Sequence, residues 1–323
     1  MGTVFEVGAA LLGACVGSFL NVVVWRLQQE DPARRSLRGR SHCPHCGTLI
    51  PWFRNVPILA WLLLRGRAAC CGKAIAVRYP LVEALTAALF FLLAAYGPGA
   101  PCVMMSPAGA LAVDVAGLAT WFALATFVSL LVALSFIDFD CTLLPDLLTK
   151  PGIALGLVAG LWPGVAGSFG DDPTVSPAVR TALASIIGAL AGGGVTWAIR
   201  WLGGLAFRRE AMGFGDVKLM AMIGAFVGWR DALLTMLLGC VLGALVGGLG
   251  QALGGANVIP FGPYLALGAV LSIFLGDALV ELLFVTWPEW QRRHDGAQWA
   301  FAAAATAALF LLFLLVRRSR RTG

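Results

Sequence analysis

The sequence predicts an all-α polytopic membrane protein with eight or nine transmembrane helices. Its 323 residues are 59% hydrophobic and only 12% charged, which is about half the charged fraction of a soluble domain. The mean hydropathy is +0.85. Several uninterrupted apolar stretches approach the ~20 residues that a helix needs to cross a bilayer. Together these observations exclude a water-soluble enzyme and a disordered chain.

Apolar runs bounded by turn signals predict where the helices lie. The run from Gly2 to Val24 has no basic segment before it and no clear cleavage site after it, so we expect a retained helix rather than a signal peptide. The run at 217–229 is too short for an upright crossing. It forms either a half-helix or a segment that continues through Trp229. The predicted spans are 4–25, 80–96, 116–137, 151–166, 179–202, 217–229, 232–253, 261–286 and 297–316.

Basic residues between the spans predict the orientation. Residues 26–79 contain ten Lys and Arg residues against only Glu30 and Asp31. The positive-inside rule therefore makes this segment cytoplasmic and places the N-terminus outside. The same threading places 138–150 and 203–216 on the cytoplasmic side. The net charge of +6 thus reflects the basic residues that set the orientation, which can also attract anionic membrane lipid. We therefore expect no nucleic-acid partner.

Four cysteines of this segment predict a metal site. The first two form a CPxCG turn, in which two thiolates can bind one tetrahedral zinc ion, and an adjacent pair follows 24 residues later. Because adjacent cysteines rarely bind one ion together, His42 or His45 is an alternative fourth ligand, and four reduced thiols without metal are the alternative to a site. A structural zinc would stabilise a short polar segment that has little core. The candidate ligands are Cys43, Cys46, Cys70 and Cys71.

Carboxylates beside the spans are the candidate catalytic groups, because ionisable residues are costly in a membrane. Asp138 ends the third predicted span and Asp216 begins the sixth, both at the cytoplasmic face. If they meet, repulsion would leave one proton between them. Such a pair can activate water and protonate the leaving amine of a peptide bond without a metal. Asp216 is equally suited to cap the helix that follows it.

The remaining carboxylates have simpler interpretations. Asp146 follows Pro145 and suits a turn or a helix start, and Asp140 is expected to be solvated beyond the end of its span. Asp277 and Glu281 are spaced i, i+4 on one predicted helix near the outer face, where they form an interfacial patch.

Six motifs follow one another between residues 8 and 285. They are GSFLNVVVWRL (17–27), the cysteine-containing stretch 41–67, RYPLVE (78–83), IDFDCTLLPD (137–146), MGFGDVKLMAMIGAFVGW (212–229) and PFGPYLALGA (260–269). In this order they resemble the type IV prepilin peptidases, which are the leader peptidases and N-methyltransferases of pilus and type II secretion systems.

The resemblance implies that Asp138 and Asp216 are the catalytic pair of a metal-independent aspartyl protease of the GxGD type, with Asp140 and Asp146 as alternatives for the first. It implies a prepilin or pseudopilin substrate in the bacterial inner membrane, whose basic leader is cut after a glycine at the cytoplasmic face. It also implies S-adenosylmethionine-dependent methylation of the new N-terminal residue. For the methyl donor the sequence offers only weak candidates: Glu83, the turn 78–80 and the basic residues of the first loop.

Two features depart from the family pattern. Ala68 stands where the second C-x-x-C-G pair would begin, so the fourth zinc ligand stays open between Cys70 and a histidine. The last predicted span and its Arg-rich tail lie beyond the resemblance and are expected to form an anchor. The predicted organisation is a first helix (1–26), a small zinc-binding cytoplasmic domain between helices 1 and 2 (27–79), a polytopic peptidase core (80–286) and a C-terminal helix with a basic tail (287–323).

Two other function classes fit parts of the pattern. An ion- or proton-coupled transporter would use the same two aspartates as its ion site. A zinc-dependent membrane sensor or scaffold would depend on the cysteines and not on the aspartates.

Overall fold

The computed structural model describes residues 2–29, 31, 35, 39, 41–100, 103–105, 111–162, 174–207, 212–252 and 260–293. This part of the chain is mainly helical, because a backbone in lipid can satisfy its polar groups only within helices or closed barrels. Six of its helices are long and apolar enough to cross a membrane. The predicted all-α polytopic class is thereby confirmed, whereas the predicted span 297–316 lies outside the described residues.

The described part of the chain forms nine α-helices. A 3₁₀ turn at Trp52–Arg54 precedes α2, and a π-helical segment at Leu282–Thr286 joins α8 to α9. The helices are α1 (Gly2–Leu27), α2 (Leu59–Leu63), α3 (Arg78–Tyr96), α4 (Val115–Cys141), α5 (Asp146–Ala159), α6 (Pro177–Phe207), α7 (Phe214–Ala252), α8 (Gly262–Glu281) and α9 (Trp287–Arg293).

α7 reverses its direction at Gly228, whose backbone is not helical (φ 80°, ψ 176°). Both Met220 and Ala232 lie within 4 Å of the position that a Cβ atom would take at Gly192 of α6. In a continuous helix these two residues would be about 18 Å apart. Residues 214–227 and 229–252 are therefore two arms of a hairpin, which matches the half-helix alternative for the predicted run 217–229.

α5 is shorter than the predicted span 151–166 and begins earlier. It has 14 residues and starts directly after Pro145, which is its N-cap in an extended conformation. At 1.5 Å per residue its length is about 21 Å. Gly152 and Gly156 allow α5 to pack closely against Met222 and Phe226 in the first arm of α7. Both short elements therefore lie side by side.

Apolar and small side chains hold the helices together. Phe127 of α4 stacks on Phe226 of α7, with ring centroids 4.6 Å apart, and both side chains are fully buried. In α1, Gly17 lies against the backbone of Val82 and Glu83 in α3, where a side chain would not fit. As expected for membrane helices, small residues permit close approach.

A small two-stranded ribbon was not predicted. β1 (Val103–Met105) pairs antiparallel with β2 (Leu111–Val113) in the segment between α3 and α4. The ribbon lies between the predicted spans 80–96 and 116–137, and three-residue strands give too short an alternation to be recognised in a sequence.

The chain directions bring three helix ends to one level. The second arm of α7 and α8 run antiparallel, since Gly239 lies against Leu265 and Gly268 against Thr235. α4 ends, and α7 and α8 begin, at the same end of the bundle, where Asp138 contacts Gly262. The Gly228 reversal lies at the opposite end, where Asp231 lies beside Gly276.

Candidate active site

Asp138 lies in the last turn of α4 and is buried, with 5% of its surface exposed. Its Oδ2 atom accepts a hydrogen bond of 2.9 Å from the backbone N–H of Gly262, at the first residue of α8. α4 ends three residues later because Thr142 takes a left-handed conformation and donates its N–H to the Asp138 carbonyl. The helix end thus fixes the aspartate where α8 starts.

Asp216 is the third residue of α7 and is also buried, with 9% of its surface exposed. Its carboxylate accepts a hydrogen bond from the backbone N–H of Gly213. Because α7 begins at Phe214, Asp216 lies within the first turn. It is therefore not the N-cap residue, although its bond to the Gly213 N–H satisfies a donor at the helix start, as a carboxylate at the third helical position does in a capping box.

The fold brings these two aspartates together from positions 78 residues apart in the sequence. Their carboxyl groups are close enough for their charges to interact. Burial of both groups strengthens this interaction, because few water molecules remain to screen it. Repulsion between two such groups favours a state in which only one of them is ionised, which is the requirement for acid and base catalysis by a dyad. Their catalytic role stays a prediction.

Asp140 and Asp146, the alternatives for the first aspartate, are engaged elsewhere. Asp140 forms an ion pair with Arg78 at the start of α3 and accepts a hydrogen bond of 2.7 Å from Gln28. Asp146 pairs with Lys150 at 2.8 Å and with Lys218 of α7. A carboxylate paired with a cation is poorly suited to exchange protons with a substrate, so the geometry favours Asp138.

The four predicted cysteines form one cluster. Their sulfur atoms all lie within 4.8 Å of one another. The Cys43 and Cys71 sulfurs are 3.8 Å apart and the Cys46 and Cys70 sulfurs 3.3 Å apart. A tetrahedral zinc site with Zn–S bonds of 2.3 Å requires S–S separations of about 3.8 Å, so the cluster fits a single metal ion. His42 packs edge-on against Trp25 instead.

Hydrogen bonds within the cluster separate the acidities of two thiols. The hydroxyl and backbone of Thr48 lower the pKa of Cys46 to about 6. The hydrogen bond that Cys70 makes with Cys46 raises the pKa of Cys70 to about 12. Cys46 is thus the thiol that ionises first, and a bound cation would draw the proton from its neighbour as well.

A cavity of about 640 Å³ separates the cysteine segment from α1 and α3. Its wall includes the aromatic side chains Trp25, Trp61 and Tyr79 and the carboxylate of Glu83. Glu83 is buried and accepts a hydrogen bond of 2.6 Å from the backbone N–H of Ile58. Glu83 and Tyr79, both weak sequence candidates for a cofactor pocket, therefore line the same cavity.

Two site contacts were missed by the sequence analysis. The motif PFGPYLALGA was recognised, but nothing assigned its Gly262 to Asp138. Glu83 was noted, but its contact with Ile58 was not expected. The Gly-Pro pair that opens α8 could have indicated the first contact. Proline suits the first turn of a helix, and a glycine beside it permits the close approach of another group.

Comparison with known proteins assigns the chain to a family. The Bacterial Peptidase A24 N-terminal domain matches residues 11–96, and the Type IV leader peptidase family matches residues 125–248. No solved structure matches the chain.

Full-length relatives agree with these matches. A prepilin leader peptidase/N-methyltransferase of Aeromonas hydrophila is 37% identical over 297 residues, which cover 84% of this chain and 91% of the relative. The protein of the same name from Pseudomonas putida is 36% identical, with the same coverage of both chains. One from Myxococcus xanthus is 40% identical over 76% of this chain and 63% of the relative. The chain therefore belongs to the type IV leader peptidase family.

Proposed function

We propose that this protein is a prepilin leader peptidase that also N-methylates the residue exposed by the cut. The observation that carries the peptidase half is the meeting of Asp138 and Asp216, two buried carboxyl groups from the end of α4 and the first turn of α7. Family membership and the names of the relatives support the same activity.

In the proposed reaction the two carboxyl groups hold one proton. The ionised group takes a proton from a water molecule, whose oxygen forms a bond to the carbonyl carbon of the leader's last glycine. The protonated group then gives its proton to the nitrogen of the breaking peptide bond. The products are a free carboxyl end on the leader and a free amine on the mature chain. One proton again lies on the dyad, so the atoms balance.

The surroundings of the dyad suit an extended peptide. The exposed Gly213 leaves open space beside Asp216, so a substrate backbone can approach closely. The Gly262 N–H holds Oδ2 of Asp138 in place. These contacts position the carboxyl groups before a substrate arrives.

We propose that the dyad faces the cytoplasm from the bacterial inner membrane, with the N-terminus in the periplasm. The basic residues of 26–79 support this orientation. A prepilin or pseudopilin would then be cut where its basic leader meets its hydrophobic helix. The basic leader would remain in the cytoplasm, on the side where the dyad lies.

The cysteine cluster is proposed to hold a structural zinc ion through Cys43, Cys46, Cys70 and Cys71. Four thiolates satisfy all positions of a tetrahedral ion and leave none for water, which is the pattern of a structural site. The ion would fix the two turns that surround the cavity, since one pair of ligands comes from each.

The cavity beside α1 and α3 is proposed to bind S-adenosylmethionine, which supplies a methyl group carried on a positively charged sulfur. Its volume of about 640 Å³ is typical of cofactor pockets. Aromatic faces attract such a cation, and Trp25, Trp61 and Tyr79 line the wall. Glu83 adds a carboxylate for a positively charged group.

One reconstitution experiment tests the peptidase. Proteoliposomes with the wild-type protein or single variants receive a purified prepilin, and initial cleavage rates are compared. We expect Asp138→Asn and Asp216→Asn to lower cleavage by about 10³-fold or more, as removal of a catalytic group does. Asp277→Asn serves as the matched control, because Asp277 is exposed and pairs with Arg230 far from the dyad.

The same assay separates the alternatives. Asp140→Asn and Asp146→Asn should retain cleavage, since both residues lie in ion pairs outside the dyad. Cleavage that survives Asp138→Asn or Asp216→Asn would refute the assignment of this pair. Radiolabelled S-adenosylmethionine added to the wild-type reaction tests the second activity, and an unlabelled product would leave a peptidase only.

A further inference from the structure

Five large apolar side chains of the cysteine segment are exposed on its surface. Trp52 and Phe53 belong to the 3₁₀ turn before α2, and Leu59, Leu62 and Leu63 belong to α2 itself. Leu63 has 83% and Trp52 80% of its surface exposed. We call these five residues the apolar face. Large exposed apolar side chains clustered in one short segment are typical of an interaction surface.

The short helix α2 has two distinct sides. Leu59, Leu62 and Leu63 are spaced i, i+3 and i+4 and share the exposed side. Ala60, Trp61 and Leu64 line the cavity on the other side. Trp61 is fixed there by a hydrogen bond of 3.1 Å to the Ile75 carbonyl. α2 is therefore a thin wall, with the cavity on one side and the apolar face on the other.

The charge around the apolar face has a single sign. Residues 41–77 contain four basic residues, Arg54, Arg65, Arg67 and Lys73, and no aspartate or glutamate. Large apolar groups interleaved with arginines are typical of segments that lie on an anionic bilayer surface. A basic peptide such as a prepilin leader would be repelled by the same surface.

A buried hydrogen bond fixes the level of α2 relative to the membrane helices. The N-cap residue of α2, Ile58, donates its N–H to Glu83. Glu83 lies five residues into α3, whose span begins at Arg78, and is therefore about 8 Å along the helix axis. Glu83 therefore lies in the second turn of the span, near the end of α3 where headgroups give way to hydrocarbon. α2 is thus held where lipid begins.

Exposed apolar residues continue from this level along α3. Val77, directly before the helix, and Leu81, one turn into it, are both more than half exposed. A segment tethered between two membrane spans, α1 and α3, is confined close to the bilayer plane. The lipid surface is therefore the nearest apolar phase to the apolar face.

We propose that the apolar face inserts into the interface of an anionic phospholipid leaflet, with Arg54, Arg65 and Arg67 at the headgroups. The cysteine segment is then a membrane-lying module and not a free cytoplasmic domain. This inference comes from the fold and the charge pattern and does not depend on the proposed function.

Photolabelling in proteoliposomes tests the insertion directly. The full-length protein is reconstituted in phosphatidylcholine, with or without phosphatidylglycerol, and each mixture contains a phospholipid with a diazirine near the top of its acyl chain. Labelled peptides are identified by mass spectrometry. We expect labels on peptides 52–53 and 59–63, several-fold more with phosphatidylglycerol. Labels on α1 and α3 serve as the internal control.

Matched variants sharpen the test. Leu62→Gln with Leu63→Gln should remove labelling of α2, whereas Leu62→Met with Leu63→Met should keep it. Bound metal measured in each preparation shows whether the cysteine cluster is intact. Arg65→Ala with Arg67→Ala should remove the dependence on phosphatidylglycerol.

Three results would overturn the proposal. The first is an apolar face without label beside labelled α1 and α3. The second is labelling that does not depend on anionic lipid. The third is an apolar face that lipid probes do not label but that a prepilin with a diazirine in its hydrophobic helix does label. That result would make the face a substrate surface.

Discussion

The backbone N–H of Gly262 donates a 2.9 Å hydrogen bond to Oδ2 of Asp138, across 124 residues of sequence. The contact joins the end of α4 to the start of α8. It gives the PFGPYLALGA motif a role that its sequence alone does not suggest, because a main-chain group and not a side chain makes the contact.

Replacing Gly262 should therefore impair cleavage without unfolding the protein. A Cβ atom at this position would lie 2.7 Å from Oδ2 of Asp138, so Gly262→Ala must displace the carboxylate. Misplacing a catalytic group by about 1 Å can cost ~10²-fold in rate. We expect a loss of this order in kcat for prepilin cleavage, with little change in KM. In the control Gly194→Ala, the added methyl meets no atom within 4 Å, and an equal loss there would contradict this interpretation.

The α7 reversal should be sensitive to any side chain at Gly228. Its backbone conformation (φ 80°, ψ 176°) is essentially reserved for glycine. We expect Gly228→Ala to lower the free energy of unfolding by about 1–3 kcal/mol, measured by denaturation in detergent micelles. Gly204→Ala in α6 is the control, because it adds a methyl in open space. Equal stability of both variants would argue against the hairpin.

Removing one cysteine of the cluster should release its metal. We expect wild-type protein to bind one zinc ion per chain and Cys43→Ala to bind much less, because a tetrahedral site loses a ligand. Elemental analysis of the purified proteins measures this directly. Cys15→Ala, in α1 and outside the cluster, should retain the full zinc content. Zinc retained in Cys43→Ala would show that these cysteines do not form the site.

A bulky side chain in the cavity should separate the two proposed activities. Ala60 lines the cavity, and overpacking such a position costs about 1–3 kcal/mol. We expect Ala60→Phe to raise the KM for S-adenosylmethionine at least about tenfold, while prepilin cleavage stays unchanged. Leu62→Phe adds an aromatic ring to the opposite side of α2 and should change neither. Methyl transfer unaffected by Ala60→Phe would place the cofactor elsewhere.

The sequence could predict those parts of the structure that depend on local pattern. Apolar runs located most spans, and the spacing of Cys43 and Cys46 indicated a metal turn. Asp138 and Asp216 were identifiable because charges in a membrane are rare and costly. The adjacent Cys70 and Cys71 were expected to bind one ion poorly. The structure brings both sulfurs into the cluster, because the tight turn that ends at Gly72 directs them to the same side.

The remaining features depend on contacts between distant segments. The reversal at Gly228 lies within a continuous apolar stretch. In such a stretch a glycine indicates a close packing site as readily as a kink. The Gly262 contact uses a backbone N–H, which every residue except proline carries. The apolar face of α2 is too short for a periodic signal. Only the three-dimensional fold distinguishes its two sides.

The meeting of three helix ends at the dyad has a consequence for how such enzymes can diverge. Asp138 precedes the end of α4, and Asp216 and Gly262 follow the starts of α7 and α8. Each lies within four residues of a connecting segment while being held by a helix. Under the proposed function, insertions and substitutions in those connections would alter which leader sequence is accepted, while the helices would keep the chemistry constant. Substrate choice would then evolve in the connecting segments, while the adjoining helix ends preserve the reaction.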